Sequence, residues 1–201
     1  MDNFLAQLAA TSILEGIAVA LAIAYVWLAA RQNIWCWPCA LVSTGIYTWL
    51  FWNVSLPFHT GLNFYYLIMA IYGLIKWRNS HADNFVVQSW PISRHVVCIS
   101  GLTIGALTLS YFASTVLDAN YIFLDAFITI FSVFTTMLVA HKVRENWLYW
   151  IVINLFAAYL YFAKDLALTG VLFLCYTGFA MYGFIQWRIE PVNVEGQTEG
   201  V

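Results

Sequence analysis

The sequence predicts an all-α integral membrane protein of seven transmembrane helices, arranged as two parallel three-helix repeats joined by one helix (3+1+3). Three observations predict it. The 201-residue chain is 63% hydrophobic and 9% charged, whereas a soluble domain carries about 25% charged residues. Uncharged apolar stretches recur along it, each long enough to cross a ~30 Å hydrocarbon core as a helix. And Tyr72-Gly73-Leu74-Ile75-Lys76-Trp77-Arg78 returns 110 positions later as Tyr182-Gly183-Phe184-Ile185-Gln186-Trp187-Arg188.

The same offset pairs Trp37 with Trp147, Leu14-Glu15 with Leu124-Asp125, Ala30 with Ala140 and Val42 with Val152. An offset held without gaps over this much chain means that the halves are copies of one unit. A duplicated unit in so apolar a chain points to a transporter built around a central site.

The expected spans are residues 12–30, 35–53, 60–76, 94–114, 121–140, 147–163 and 166–187. In lipid each segment must satisfy its own backbone amides, so these are helices, and the alternation of a membrane barrel is absent. Span 1 has no basic n-region and runs to full spanning length, so it reads as a helix and not as a cleavable signal. Spans 1–3 form repeat 1 (12–76). Residues 77–114 are a linker, a polar cytoplasmic lead followed by helix 4, which reverses the chain so that both copies run the same way. Spans 5–7 form repeat 2 (121–188). Residues 189–201 read as a disordered Gly/Glu tail, and residues 1–201 as a single membrane domain.

Seven of the eight basic residues, Arg31, Lys76, Arg78, Arg94, Lys142, Arg144 and Arg188, fall on one side of these spans, and Lys164 falls on the other. The positive-inside rule then puts the N-terminus outside and the C-terminus in the cytoplasm.

Span 6 opens with Glu145-Asn146-Trp147 and continues to Trp150 and Asn154. Positions 147, 150 and 154 share one helix face. Two indoles and a carboxamide there can stack on a planar ring and hold its polar edge, and a buried Asn bonded to nothing would be costly. Trp147 also fits an interfacial aromatic belt, as does Trp187 at the same end of span 7. Span 3 offers Asn63, Tyr65, Tyr66 and Tyr72. Tyr66 and Tyr176 are one repeat apart and could form a ring-binding slot, or simply bond neighbouring helices together. The repeat-paired acids Glu15 and Asp125 lie near the outer membrane face. With Asp118 they would make a negative mouth that concentrates cations, or else bond a neighbouring helix.

Several functions lack their residues. No G-x-x-x-x-G-K-[ST] loop is present. Span 7 has no lysine for a retinal Schiff base. No H-E-x-x-H and no paired catalytic carboxylates appear, so no enzyme is expected. Cys36 and Cys39 have C-x-x-C spacing, but no second pair and no ligand-spaced histidine accompanies them, so no metal or cofactor is expected. His59, His81, His95 and His141 stand at span ends and read as interfacial.

Glu145-Asn146-Trp147-x-x-Trp150-x-x-x-Asn154, Asp125 upstream, and the Tyr-Gly-x-x-x-Trp that closes spans 3 and 7 together resemble the PnuC family of vitamin transporters, over about residues 12–188. The resemblance implies a seven-helix fold like that of a full-length SWEET sugar transporter, in a bacterial inner membrane. It implies facilitated diffusion of nicotinamide riboside, thiamine or, less often, riboflavin, made one-way by a phosphorylating cytoplasmic kinase. It implies that Trp150 and Asn154 face the substrate. The chain departs from nicotinamide riboside members at Asn63, where they tend to have Gln, at Ala70, where they often have Asn, and at Leu74, where they have Trp. These losses lean toward thiamine, with nicotinamide riboside close behind.

Both vitamins carry a flat cationic ring, which a Trp/Tyr slot attracts by stacking and cation–π interaction, ~0.5–2 kcal/mol per aromatic. Asn154 and Asn63 can bond hydroxyls or an aminopyrimidine edge. The expected substrate-binding set is Trp147, Trp150, Asn154, Asn63, Tyr66, Tyr176 and Asp125. The alternatives are a riboflavin transporter of the same family, or a cofactor-binding membrane enzyme or sensor, for which the polar tail is too short to be an output domain. The expected partners are a small-molecule vitamin, the lipid bilayer and the kinase. No nucleic acid is expected, and a homo-oligomer is left open.

Overall fold

A computed structural model describes residues 13–53, 57–79, 86–116, 121–164 and 166–189. Residue 12 of the first expected span, His81, Asp118 and the tail from residue 190 lie outside the described residues, as does the side chain of His59. Among the described residues there are seven helices: α1 (Ile13–Ala30), α2 (Cys36–Asn53), α3 (Pro57–Asn79), α4 (Ile92–Ser114), α5 (Ile122–Ala140), α6 (Asn146–Ala163) and α7 (Ala167–Ile189). Each expected span is present within a few residues. Helix α3 starts three residues early, at Pro57, whose fixed φ and missing N–H suit a first helical turn. Five helices are long and apolar enough to cross a membrane: α1, α4, α5, α6 and the Thr169–Arg188 part of α7. Helices α2 and α3 are richer in Trp, Tyr and polar residues.

Shifting α2 and α3 by the 110-residue offset returns the bounds of α6 and α7. The turns recur as well. Gln32 (φ 53°) and Lys142 (φ 52°) take the left-handed conformation two residues past the ends of α1 and α5. The N–H of Asn33 then reaches back to Leu28 O and that of Val143 to Leu138 O, at 2.9 and 3.0 Å. This is a Schellman-type stop made twice without glycine. Packing follows the same pattern: α2 lies against α1 and α3, α6 against α5 and α7, and α1 meets α7 while α3 meets α5. Helix α4 packs on α5.

Glycine sets the approach of the second and third helices in each half. The Trp147 indole of α6 lies flat against Gly183 of α7, where an added Cβ would sit 2.6 Å from the ring. The Trp37 indole of α2 covers Gly73 of α3 in the same way. Four residues on, Trp77 and Trp187 meet these rings edge-on, Trp37–Trp77 at 5.4 Å and Trp147–Trp187 at 5.5 Å between centroids. Trp147 and Trp187 are 3% and 2% exposed. The interfacial-belt reading of both is therefore wrong: their rings fill the core because the paired glycines leave room for them.

Basic side chains instead cover aromatic rings at one end of the bundle: Arg31 lies over the part-exposed Trp27 at 4.2 Å, Arg94 over Trp90 at 4.9 Å, and Lys142 over the buried Trp77 at 5.0 Å. These sit at the end of the bundle formed by the C-termini of α1, α3, α5 and α7 and the N-termini of α2, α4 and α6. Seven of the eight basic residues gather there, and Lys164 caps α6 at the other end.

Gly183→Ala should lower the thermal midpoint of the purified protein by several degrees, because Trp147 is wedged by Trp187 and cannot retreat; overpacking of this kind costs about 1–3 kcal/mol. Gly16→Ala, with nothing within 4 Å of its added Cβ, should be neutral or raise the midpoint slightly through helix propensity. Nearly equal midpoints for the two variants would show that the Trp-on-Gly contact does not set the helix spacing.

Candidate functional site

Helix α6 presents Trp147, Trp150 and Asn154 along one face, but they have different surroundings. Trp147 is consumed by packing against Gly183 and Trp187. Trp150, one turn deeper, is partly buried and touches both hydrophobic clusters of the core. Asn154 is 5% exposed, and its carboxamide bonds to none of the described residues. Neither polar atom of this carboxamide is among the fully enclosed side-chain atoms that lack a partner, so the amide keeps some contact with open space between the helices.

The tyrosines extend this face outward. Tyr66 of α3 faces Ser132 of α5 and stands near Tyr161 of α6. Beside it the Tyr65 hydroxyl donates to Val133 O at 2.9 Å. Tyr161 stacks on Phe173 of α7 (5.2 Å, 12°), and Phe173 meets Tyr176 edge-on at 5.8 Å. Tyr66 and Tyr176 are thus not face to face across an empty axis. An aromatic arc through Tyr161 and Phe173 joins them. Tyr161 and Ser132 were not singled out from the sequence, although Tyr161 continues the α6 face seven residues beyond Asn154.

Asn63 is half-buried and lies about one turn outward of Tyr66 on α3, engaged with neighbours. Asp125 is exposed in the first turn of α5, within electrostatic reach of Tyr161. Glu15 stands in the same relation to Tyr47. Asp125 lies seven residues outward of Ser132, roughly 10 Å along the helix. Both acids therefore belong to the end away from the basic residues, apart from Trp150 and Asn154. Among the described residues no group of His, Cys, Asp or Glu could hold a metal ion, and all four cysteines are free.

The two halves differ where this face forms. The partners of Trp150 and Asn154 in the first copy are Ala40 and Thr44. Thr44 spends its hydroxyl on the Ala40 carbonyl at 2.7 Å. Only the second copy carries a large aromatic and a free amide.

Glu145, which began as one letter of a motif, anchors a strap. Gln88 pairs with the 142–144 turn, its N–H to Lys142 O at 2.9 Å and its carbonyl from the Arg144 N–H at 2.8 Å. The Glu145 carboxylate accepts from Ser89 Oγ at 2.6 Å, from the Trp90 N–H at 3.2 Å and from Arg144 at 3.1 Å. Burial by itself would push its pKa up. The Ser89 and backbone bonds, with the Arg144 guanidinium, outweigh that and hold the carboxyl below its ordinary range. An anion also suits the N-terminus of α6. His95 is not a free interfacial residue: its Nδ1 lies 3.0 Å from the Tyr149 hydroxyl, and its Nε2 is 3.9 Å from the Glu145 carboxylate.

A bundle of seven helices, five of them long and apolar enough to cross a membrane, has the makings of a multi-pass membrane protein. The crystal structure of the vitamin B3 transporter PnuC has the same fold, with a TM-score of 0.67 at 20% identity, covering 87% of this chain and 80% of that one. A family model described as nicotinamide mononucleotide transporter matches residues 12–189. The chain belongs to this PnuC-type transporter family.

Glu145→Gln should destabilise the protein at pH 7 by about 1.5–3 kcal/mol, the range for hydrogen bonds to a charged group. The folded-state pKa is depressed, so the carboxylate contributes fully above the ordinary carboxylate range. That contribution is lost as pH falls through the folded value. Thermal scans from pH 7 to 3 should show the parent falling toward the variant. Equal midpoints at pH 7 would mean that the charge does not hold the strap.

Proposed function

We propose that this protein is a facilitator for a flat, cationic B-vitamin or vitamin precursor, with nicotinamide riboside the first candidate. The observation that carries the reading is Asn154, nearly enclosed in the bundle one turn from Trp150, with a carboxamide that bonds none of the described residues and is not sealed off from open space. The substrate ring stacks on the Trp150 indole, where cation–π attraction contributes ~0.5–2 kcal/mol. Its polar edge bonds the Asn154 carboxamide. Tyr66, Tyr176 and Asn63 face the ring and hydroxyls from the other helices, and Asp125 draws the cation to the outer mouth. Trp147 supports the site by fixing α6 against α7.

The names of the related proteins, nicotinamide mononucleotide and vitamin B3 transporters, favour a nicotinamide ring. The basic residues lie at the two ends of the bundle, and a phosphate in the middle would meet no cation. That favours the riboside over the nucleotide. Thiamine is the second reading, supported by Ala70 and Leu74. Both are packed into the core, and neither brings the polar or stacking group that the resemblance to nicotinamide riboside members leads one to expect there.

In this reading all seven helices cross a bacterial inner membrane as a parallel 3+1+3 repeat about an axis along the membrane normal. The matching helix bounds and turns support it. The basic end faces the cytoplasm, with the N-terminus outside and the C-terminus inside. Uptake is facilitated diffusion made one-way by a cytoplasmic kinase, since the chain has no nucleotide-binding loop.

Titration of the purified protein with nicotinamide riboside, thiamine and riboflavin, followed by isothermal calorimetry, tests the substrate. Trp150→Ala should weaken binding by ~1–2 kcal/mol, roughly five- to thirtyfold. Asn154→Leu keeps the volume but strands the polar edge and should cost ~1–3 kcal/mol. If both variants fold and bind like the parent, the site is elsewhere. A C-terminal reporter active only in the cytoplasm should work, and one active only outside should stay silent; the opposite result would overturn the orientation.

A further inference from the structure

Trp37, Trp77, Trp187 and Trp147 run in a row through the basic end of the bundle. Each is at most 4% exposed. Within each half the two rings meet edge-on at 89°. Between the halves Trp77 and Trp187 stand 6.4 Å apart at 51°. Two hydrogen bonds also cross between the halves there. The Trp77 indole donates to Ala140 O of α5 at 3.3 Å, and the Trp187 indole to Ala29 O of α1 at 3.1 Å. Each ties the third helix of one half to the first helix of the other, close to one offset apart.

We propose that Trp77 and Trp187 form the gate that closes the basic end of the transport path, held shut by these two indole–carbonyl bonds. The inference deepens the transport reading and rests on it. A route between the halves toward this end must pass between Trp77 and Trp187. Rings at that separation leave no room for a third ring between them. Trp37 and Trp147 are seated on the glycines of their own halves, so they move with those halves. Separation therefore falls at the Trp77–Trp187 contact and breaks both cross bonds together.

The energetics suit a gate. At the gate itself the clasp is two neutral hydrogen bonds and one tilted ring contact, beside the Trp27–Tyr182 stack at 5.3 Å and the Tyr72–His141 contact at 3.3 Å, a set of weak interactions that thermal motion can undo. Opening also has a compensating gain. The indole N–H groups of Trp37 and Trp147 are buried without partners in the closed arrangement, and water entering an open gate would satisfy them.

Cys36 reports on the gate. It stands next to Trp37 and is fully buried. With Cys39→Ser, Cys98→Ser and Cys175→Ser in place, its labelling by a membrane-impermeant maleimide is measured in vesicles of either orientation. In the parent, labelling should be slow from both sides. Trp77→Phe with Trp187→Phe keeps the rings but removes both donors. That pair should speed labelling from the basic side about thirtyfold, the effect of two hydrogen bonds lost from the closed state alone. Each single variant should give an intermediate rate, and the singles carry the test if the double variant does not fold. Unchanged rates in folded variants, or acceleration from the opposite side only, would overturn the gate. Labelling needs no vitamin, so the two readings fail separately. Accelerated labelling in a protein that moves no vitamin refutes the transport reading. Vitamin binding at Trp150 with unaltered labelling refutes the gate.

Discussion

A tryptophan pressed onto a glycine, made once in each half, is the contact on which the rest of the bundle depends. Gly73 and Gly183 let α3 and α7 come close enough for a whole indole to lie across the backbone of each. In lipid there is little hydrophobic gain from helix association, so close van der Waals packing over small residues must supply it. The indoles placed this way bring Trp77 and Trp187 together between the halves. They also leave α6 rigidly set against α7, with Trp150 and Asn154 turned to the bundle's middle. A methyl group on either glycine would disturb helix spacing, the row of tryptophans and the site at once.

Against this shared frame, the positions that depart from the 110-residue correspondence are the ones on which the proposed site is built. Helix bounds, left-handed turns and the Trp-on-Gly contact are common to both halves. Ala40 and Thr44 become Trp150 and Asn154. Asn33, whose side chain accepts from the Trp35 N–H at 2.9 Å, becomes Val143, and the strap at Gln88 takes over the turn. Cys36 becomes Asn146, fully buried and bonded to Val143 O at 2.6 Å. The C-terminal half carries both a polar aromatic face and a brace that holds the start of the helix bearing it.

Much of the frame was legible in the sequence because it is written as repetition. The offset of Tyr72-Gly73 to Tyr182-Gly183 predicts matched helices without any packing knowledge, and apolar run length locates each span to within a few residues. The roles of Trp147 and Trp187 were not legible. An indole near a helix end reads the same whether it faces headgroups or a glycine on another helix, and only the three-dimensional pairing with Gly183 separates the two. Ser132 and Tyr161 were missed for a similar reason: a lone hydroxyl in an apolar helix has no pattern until Tyr66 is placed opposite it. Glu145 was noticed as part of a motif, but its partners Ser89 and Trp90 lie more than fifty residues upstream, in a linker whose composition shows only polarity.

The central claim is that the vitamin ring lies on Trp150 with its polar edge at Asn154, midway between the two ends. A structure determined with nicotinamide riboside bound tests it most directly. The account predicts ring density parallel to the Trp150 indole and a carboxamide or hydroxyl within hydrogen-bond distance of the Asn154 amide. Density confined to the outer mouth near Glu15 and Asp125, with the Asn154 side chain still unpartnered, would contradict it.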